Sequence, residues 1–99
     1  MTYLYSPSLP ELDDHLTDVQ FRVFRRILKE QPLRHEQLLR EVQVIFTQDV
    51  AIEKQLEAVL EHLQNLLLIE RKIGAIKPFD EYKATSWGKM FADYKAMKY

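Results

Sequence analysis

Apolar residues recur at Phe21, Phe24 and Leu28, with Val23 and Ile27 widening the stripe. The spacing i, i+3, i+7 lays these side chains along one face of a helix. That helix begins at Thr17 or Asp18, either of which suits a cap, and Gln31-Pro32 ends it. Its other face carries Arg22, Arg25, Arg26 and Lys29. A second helix is expected from about Arg34 to Phe46, burying Leu38, Leu39, Val42, Ile45 and Phe46. Thr47-Gln48-Asp49 makes the next turn, with Asp49 placed to cap a third helix over about residues 51–65. There Ile52, Leu56, Val59, Leu60 and Leu63 keep a clean helical period, and Glu53 sits where an acid suits the helix dipole.

Beyond that helix the period changes. Leu66 to Ile73 reads as a strand, residues 74–81 as a turn, and Tyr82 to Trp87 as a returning strand. Thr85-x-x-Gly88 then opens a last helix bearing Met90, Phe91, Tyr94 and Met97. The segment before the first helix looks different. Ser6-Pro7-Ser8-Leu9-Pro10 cannot be helical throughout, so residues 1–16 are expected to form an arm and residues 17–99 the domain. Tyr3 and Tyr5 suggest that this arm docks, either on its own domain or on a second copy.

The chain has 99 residues, 46% of them hydrophobic and 29% charged, with 2 Gly and 4 Pro. One folded domain suits that length, and the composition is not that of a disordered segment. The absence of Cys excludes disulfides, thiolate zinc sites and a cysteine nucleophile. No charged and apolar leader opens the sequence, and the longest apolar run, Leu66 to Ile69, is far too short to span a bilayer. A cytoplasmic protein with no membrane association is the expectation. The net charge of -1 makes no global case for nucleic acid. Charge is nonetheless segregated along the chain. Residues 17–40 carry six Lys or Arg against three acids, residues 41–70 six acids against Lys54 alone, and residues 71–99 seven cations against three acids.

The run Leu63-Gln64-Asn65-Leu66-Leu67-Leu68-Ile69-Glu70-Arg71-Lys72, followed by Tyr82-Lys83-Ala84-Thr85-Ser86-Trp87-Gly88, resembles the "L-x-x-x-G-L-I-x-R … Y-x-L-T-x-x-G" signature of MarR- and PadR-type winged-helix proteins. The resemblance covers residues 17–94. It implies an α+β winged helix-turn-helix with a three-helix core, a two-stranded β-hairpin wing and a C-terminal helix. It also implies a small DNA-binding transcriptional regulator working as a homodimer on double-stranded DNA. Aligned on Leu68-Ile69-Glu70-Arg71, the base-reading positions of the third helix fall on Lys54, Gln55 and Ala58, and also on Glu57. Lys contacts guanine or phosphate, Gln pairs with adenine, and Ala touches a thymine methyl. Arg34 and Arg40 would meet the backbone from the second helix, and Arg71, Lys72, Lys77 and Lys83 from the wing. A dimer interface would recruit Tyr3, Tyr5, Tyr94, Met97 and Tyr99, an excess of aromatic and apolar surface at the two chain ends.

Two features depart from that pattern. Leu67 stands where the family has a Gly at positive φ, so Asn65 is a candidate to cap the helix two residues earlier. Glu53, Glu57 and Glu61 stack three carboxylates on one face of the third helix, which would oppose a polyanion. That stripe reads either as a solvated face turned away from the partner or as part of a protein-docking surface. The second reading makes the chain a winged-helix adaptor that binds protein and never DNA. The Lys-rich hairpin is equally open, between phosphate contacts and an edge protected against strand pairing.

No catalytic centre is evident. His15, His35 and His62 lie far apart without a carboxylate at ligand spacing, so no metal is expected. Ser6, Ser8 and Ser86 lack a nucleophile context, and two glycines cannot build a phosphate loop. No cofactor and no enzymatic activity are expected. Trp87 is expected to pack near Phe91, and His62 to be a partly exposed helix residue.

Overall fold

Thr17 begins the chain's most regular helix. Its Oγ1 accepts from the Gln20 N–H at 3.2 Å while the Gln20 Oε1 accepts from the Thr17 N–H at 2.9 Å, a reciprocal capping box. In the computed structural model, which describes residues 8–44 and 51–98, this helix is α2, Asp18–Lys29. Val23, Phe24 and Ile27 are its buried residues, and Phe21 and Leu28 are only half-buried. The apolar stripe is thus turned toward the positions that the sequence period placed at its margin.

A short helix precedes it. α1, Leu9–Asp14, carries Pro10 in its first turn, where a missing N–H costs nothing. Leu12 is fully buried, and Asp13 meets Lys95 of the last helix at 2.6 Å. Residues 9–16, expected as part of the arm, therefore include a helix that docks on the domain. Tyr3 and Tyr5 lie outside the described residues.

The architecture is an α+β domain of five α-helices and one three-stranded antiparallel sheet among the described residues. After α2 come β1 (Leu33–Arg34), α3 (His35–Glu41), a 3-10 turn (Val42–Val44), α4 (Ile52–Asn65), β2 (Ile69–Lys72), β3 (Glu81–Ala84) and α5 (Ser86–Lys98). The sheet order is β1-β3-β2, with Leu33 opposite Tyr82 on one side of β3 and Arg71 opposite Tyr82 on the other. β1 is two residues long and adds a third strand to the expected two-stranded hairpin. It is too short to leave a period in the sequence, and only pairing with β3 defines it. The strands β2 and β3 are shorter than predicted because residues 66–68 turn out of α4 and residues 85–87 turn into α5. The second helix ends at Glu41, before the expected bound. Ile45, Phe46 and the Asp49 cap lie outside the described residues, and Ala51 occupies the cap position of α4 at φ 70°.

The core gathers Val23, Phe24 and Ile27 of α2, Leu38 of α3, and Leu56, Leu60 and Leu63 of α4 around Tyr82 and Phe91. Phe21 and Phe24 each place their rings 6.1 Å from that of Phe91, the former edge-on. Trp87 packs half-buried against this core. No helix among the described residues is long and apolar enough to cross a membrane.

The exit from α4 resolves the Leu67 question. The Leu68 N–H donates to the Leu63 carbonyl at 3.0 Å and the Leu67 N–H to the Gln64 carbonyl at 2.9 Å. This is a Schellman ending, with Leu67 at φ 62° in the place a glycine usually fills. Asn65 is the last helical residue and takes no part in an earlier cap. The buried pair Leu63 and Leu68 closes the motif, so packing holds Leu67 in a conformation that its own side chain opposes. Downstream, Thr85 Oγ1 accepts from the Gly88 N–H at 2.9 Å and starts α5. A Cβ at Gly88 would fall on the Leu68 carbonyl oxygen.

Leu67→Gly should raise stability by about 1 kcal/mol, because the half-exposed side chain contributes little and its backbone strain is relieved. Urea denaturation reads this, and a lower midpoint would contradict it. Gly88→Ala should instead cost about 1–3 kcal/mol through overpacking against backbone.

Candidate functional site

The residues expected to meet DNA spread over β1, α3, α4 and the hairpin, and the fold joins several of them through carboxylates. Arg34 lies in β1 just before α3 rather than on the second helix, because it pairs with Glu81 of β3. β2 alternates, so Ile69 and Arg71 face inward while Glu70 and Lys72 face solvent. Arg71 therefore points at the body of the domain. Its side chain is 15% exposed, and its guanidinium must find partners. Nε and Nη2 donate to Asp80 Oδ2 at 3.0 and 2.8 Å. Nη1 and Nη2 reach the Glu57 carboxylate on α4 at 3.2 and 3.3 Å. The same guanidinium lies 5.3 Å from the centre of the Tyr82 ring.

Asp80 closes the hairpin from within. Its Oδ1 accepts from the Gly74 N–H at 2.7 Å, and its backbone carbonyl accepts from the His35 N–H at 2.7 Å. Lys77, in the 3-10 turn Lys77–Phe79, bridges Glu53 and Glu57 at 3.2 and 3.0 Å. His35 is buried at the start of α3. Its Nε2 lies 2.8 Å from Glu53 Oε1 and its Nδ1 2.6 Å from the Tyr82 hydroxyl. A carboxylate only accepts, so in the neutral ring Nε2–H donates to Glu53 and Nδ1 accepts from Tyr82. One continuous network thus runs from Tyr82 through His35, Glu53, Lys77, Glu57 and Arg71 to Asp80.

The electrostatics follow from this wiring. The Gly74 N–H, then the Arg71 guanidinium, hold the Asp80 carboxyl below its ordinary value against the cost of burial. At Glu57 burial works upward, and the hydrogen bonds from Arg71 and Lys77 outweigh it, for a net lowering. Burial likewise opposes the charge on Arg71, but Glu57 and Asp80 raise its pKa overall. Lys77 is raised by Glu57 and then by Glu53. Burial pushes the Tyr82 phenol up, so it stays a donor.

These contacts bear on three expectations. Glu53 and Glu57 are not simply a solvated stripe, because they pair with hairpin cations, and of the three only Glu61 is exposed without such a pair among the described residues. The hairpin cations Arg71 and Lys77 are ion-paired, Arg71 with Glu57 and Asp80 and Lys77 with Glu53 and Glu57. Lys83 pairs across the hairpin with Glu70 at 3.6 Å, and Arg34 lies 3.9 Å from Glu36 with its guanidinium 5.3 Å from the centre of the Phe79 ring. His35 does have carboxylate neighbours, since His35, Glu53 and Glu57 offer ligand atoms within 4.8 Å of one another. Lys77 and Arg71 already occupy those carboxylates, so a metal ion there would have to displace an ammonium group.

Other predicted positions stay outward. Lys54 and Ala58 are exposed on α4, Arg40 is exposed on α3 and Lys72 on β2, while Gln55 is half-buried. Met97 is exposed and Tyr94 packs against the core, while Tyr99 lies outside the described residues. His62 is half-buried and donates from Nε2 to the His15 carbonyl at 2.7 Å. The feature the sequence reading passed over is the hairpin tip. Ile73, Ile76 and Phe79 are 72%, 55% and 43% exposed, so the tip is apolar. The strand parity of Ile69 and Arg71 was a readable sign that Arg71 faces inward.

The chain matches no protein-family model, no curated protein and no solved structure with which it was compared.

Asp80 and Glu57 predict an acid limb. A carboxyl lowered in the folded state stabilises it above the ordinary value and loses that contribution as pH falls through the folded value. The ordinary values are 3.8 for Asp80 and 4.5 for Glu57. Asp80→Asn should therefore be less stable than the parent at neutral pH, with the gap closing as pH drops below about 4. Urea melts across that range measure it. A gap independent of pH would assign the effect to shape rather than charge.

Proposed function

We propose that this chain is a winged-helix module that docks on another protein rather than reading DNA. The topology supports the winged-helix part. Helix α2, the short β1, helices α3 and α4, and the β2–β3 hairpin follow one another with sheet order β1-β3-β2, the arrangement of a helix-turn-helix with a wing. In that frame α4 is the reading helix and residues 73–80 are the wing tip.

One observation carries the adaptor reading. Arg71 and Lys77 are bonded to Glu57 and Glu53 of the reading helix itself. Moving either cation to a phosphate would strip a partner from carboxylates that then face the polyanion. The tip they leave exposed is built from Ile73, Ile76 and Phe79, which suit a protein surface better than a phosphate backbone. The DNA reading retains Lys54, Arg40 and Lys72, which are exposed and have no carboxylate partner among the described residues.

An anisotropy titration of a fluorescent random duplex, at about 50 and 200 mM salt, separates the two. The adaptor reading expects no binding at either salt with protein at tens of micromolar. Binding that weakens steeply with salt would overturn it and return Lys54, Arg40 and Lys72 to a phosphate-contacting role.

A further inference from the structure

The basic face of α2 takes no part in the network around Arg71. Together with α5 it lines a groove of about 740 Å³. The floor is apolar, with Phe21 and Leu28 from α2 and Ala92 and Ala96 from α5. Five cations surround it, Arg22, Arg25, Arg26, Lys29 and Lys95, and no carboxylate lines it. Arg26 is held by Glu41 at 2.6 Å and by Glu30 at 2.8 Å, and Lys95 by Asp13. Arg22, Arg25 and Lys29 are exposed and have no carboxylate partner among the described residues. Two cations approach the Phe21 ring, Arg25 at 6.0 Å and Lys95 at 4.6 Å from its centre.

We infer that this groove binds an acidic amphipathic helix of a partner protein. The inference names the partner class for the proposed module and rests on that reading. Arg22, Arg25 and Lys29 occupy i, i+3 and i+7, a row about 10 Å long on α2. Carboxylates at i, i+4 and i+7 of a facing helix match that row. The small side chains of Ala92 and Ala96 let a partner backbone approach, and its apolar residues cover Phe21 and Leu28. A phosphate backbone would leave the apolar floor uncovered. A small anionic amphiphile needs walls on most sides, whereas this groove is open along its length.

The probe is a fluorescein-labelled peptide of about 16 residues, with Leu at helical spacing flanked by Glu. A counterpart with Lys in place of every Glu is the control. Anisotropy should show the Glu peptide binding in the micromolar range, and the Lys peptide not at all. Arg22→Glu combined with Arg25→Glu and Lys29→Glu should weaken binding by about tenfold or more. Ala96→Trp, which fills the groove without changing charge, should weaken it comparably, and thermal melts of both variants verify folding. Backbone amide shifts induced by the peptide should map to α2 and α5. Equal binding of both peptides, binding unaffected by the two variants, or no binding at about 100 μM would overturn the inference. So would concentration-dependent dimerisation with shifts in the same groove, which would make a second copy the occupant. If random duplex binds and displaces the peptide, the adaptor reading falls too. If duplex does not bind and the peptide also fails, only the groove assignment falls.

Discussion

A single partly buried guanidinium organises the α4–hairpin end of this domain. Strand parity turns Arg71 inward beside Ile69, where a lone charge is untenable. The fold answers with Glu57 from the helix below and Asp80 from the hairpin above. Because one side chain must satisfy both, the hairpin cannot swing relative to α4 without exposing an unpaired charge to a poorly solvated site. Asp80 is tied in turn to the Gly74 N–H, so the tip is folded back upon itself. Lys77 then reaches Glu53 and Glu57 from the same tip. That chain of contacts ties the hairpin to α4 and, through His35, to the start of α3.

The consequence is an exchange of surface character. Along the chain, acids cluster between residues 41 and 70 and bases after residue 70. In space Glu53 and Glu57 of the first block pair with Arg71 and Lys77 of the second at the α4–hairpin junction. Ile73, Ile76 and Phe79 stay exposed at the hairpin tip beside the paired Lys77, and the cations that remain without carboxylate partners among the described residues include Arg22, Arg25 and Lys29 on α2. The proposed adaptor role and the proposed acidic-helix groove both follow from that redistribution. One end of the domain offers an apolar tip, and the α2–α5 face offers an apolar floor with a cationic rim.

Two local devices support the same frame. The Tyr82 hydroxyl, the His35 ring and the Glu53 carboxylate form a relay that pins the start of α3 to the central strand and to α4. At the other end of α4, the Schellman bonds force Leu67 into a left-handed conformation because Leu63 and Leu68 must both enter the core. Here tertiary packing overrides a local preference, and the left-handed position is kept without its usual glycine.

Much of the frame was written in local patterns. The helical periods at residues 18–29 and 52–65, the Gln31-Pro32 stop and the start of α5 at Thr85-x-x-Gly88 all depend on neighbours a few residues apart. Such signals are legible because the forces that create them are local. Other features were decided only by the tertiary structure. The two-residue β1 exists because β3 pairs with it, and α1 docks because Leu12 finds the core. The candidate site belongs to this second kind. Glu57 and Arg71 are 14 residues apart, and His35 and Tyr82 are 47 apart. No period or motif connects partners at that separation. Sequence alone determined which residues carry charge, and the folded geometry decided which of those charges pair with each other and which stay exposed.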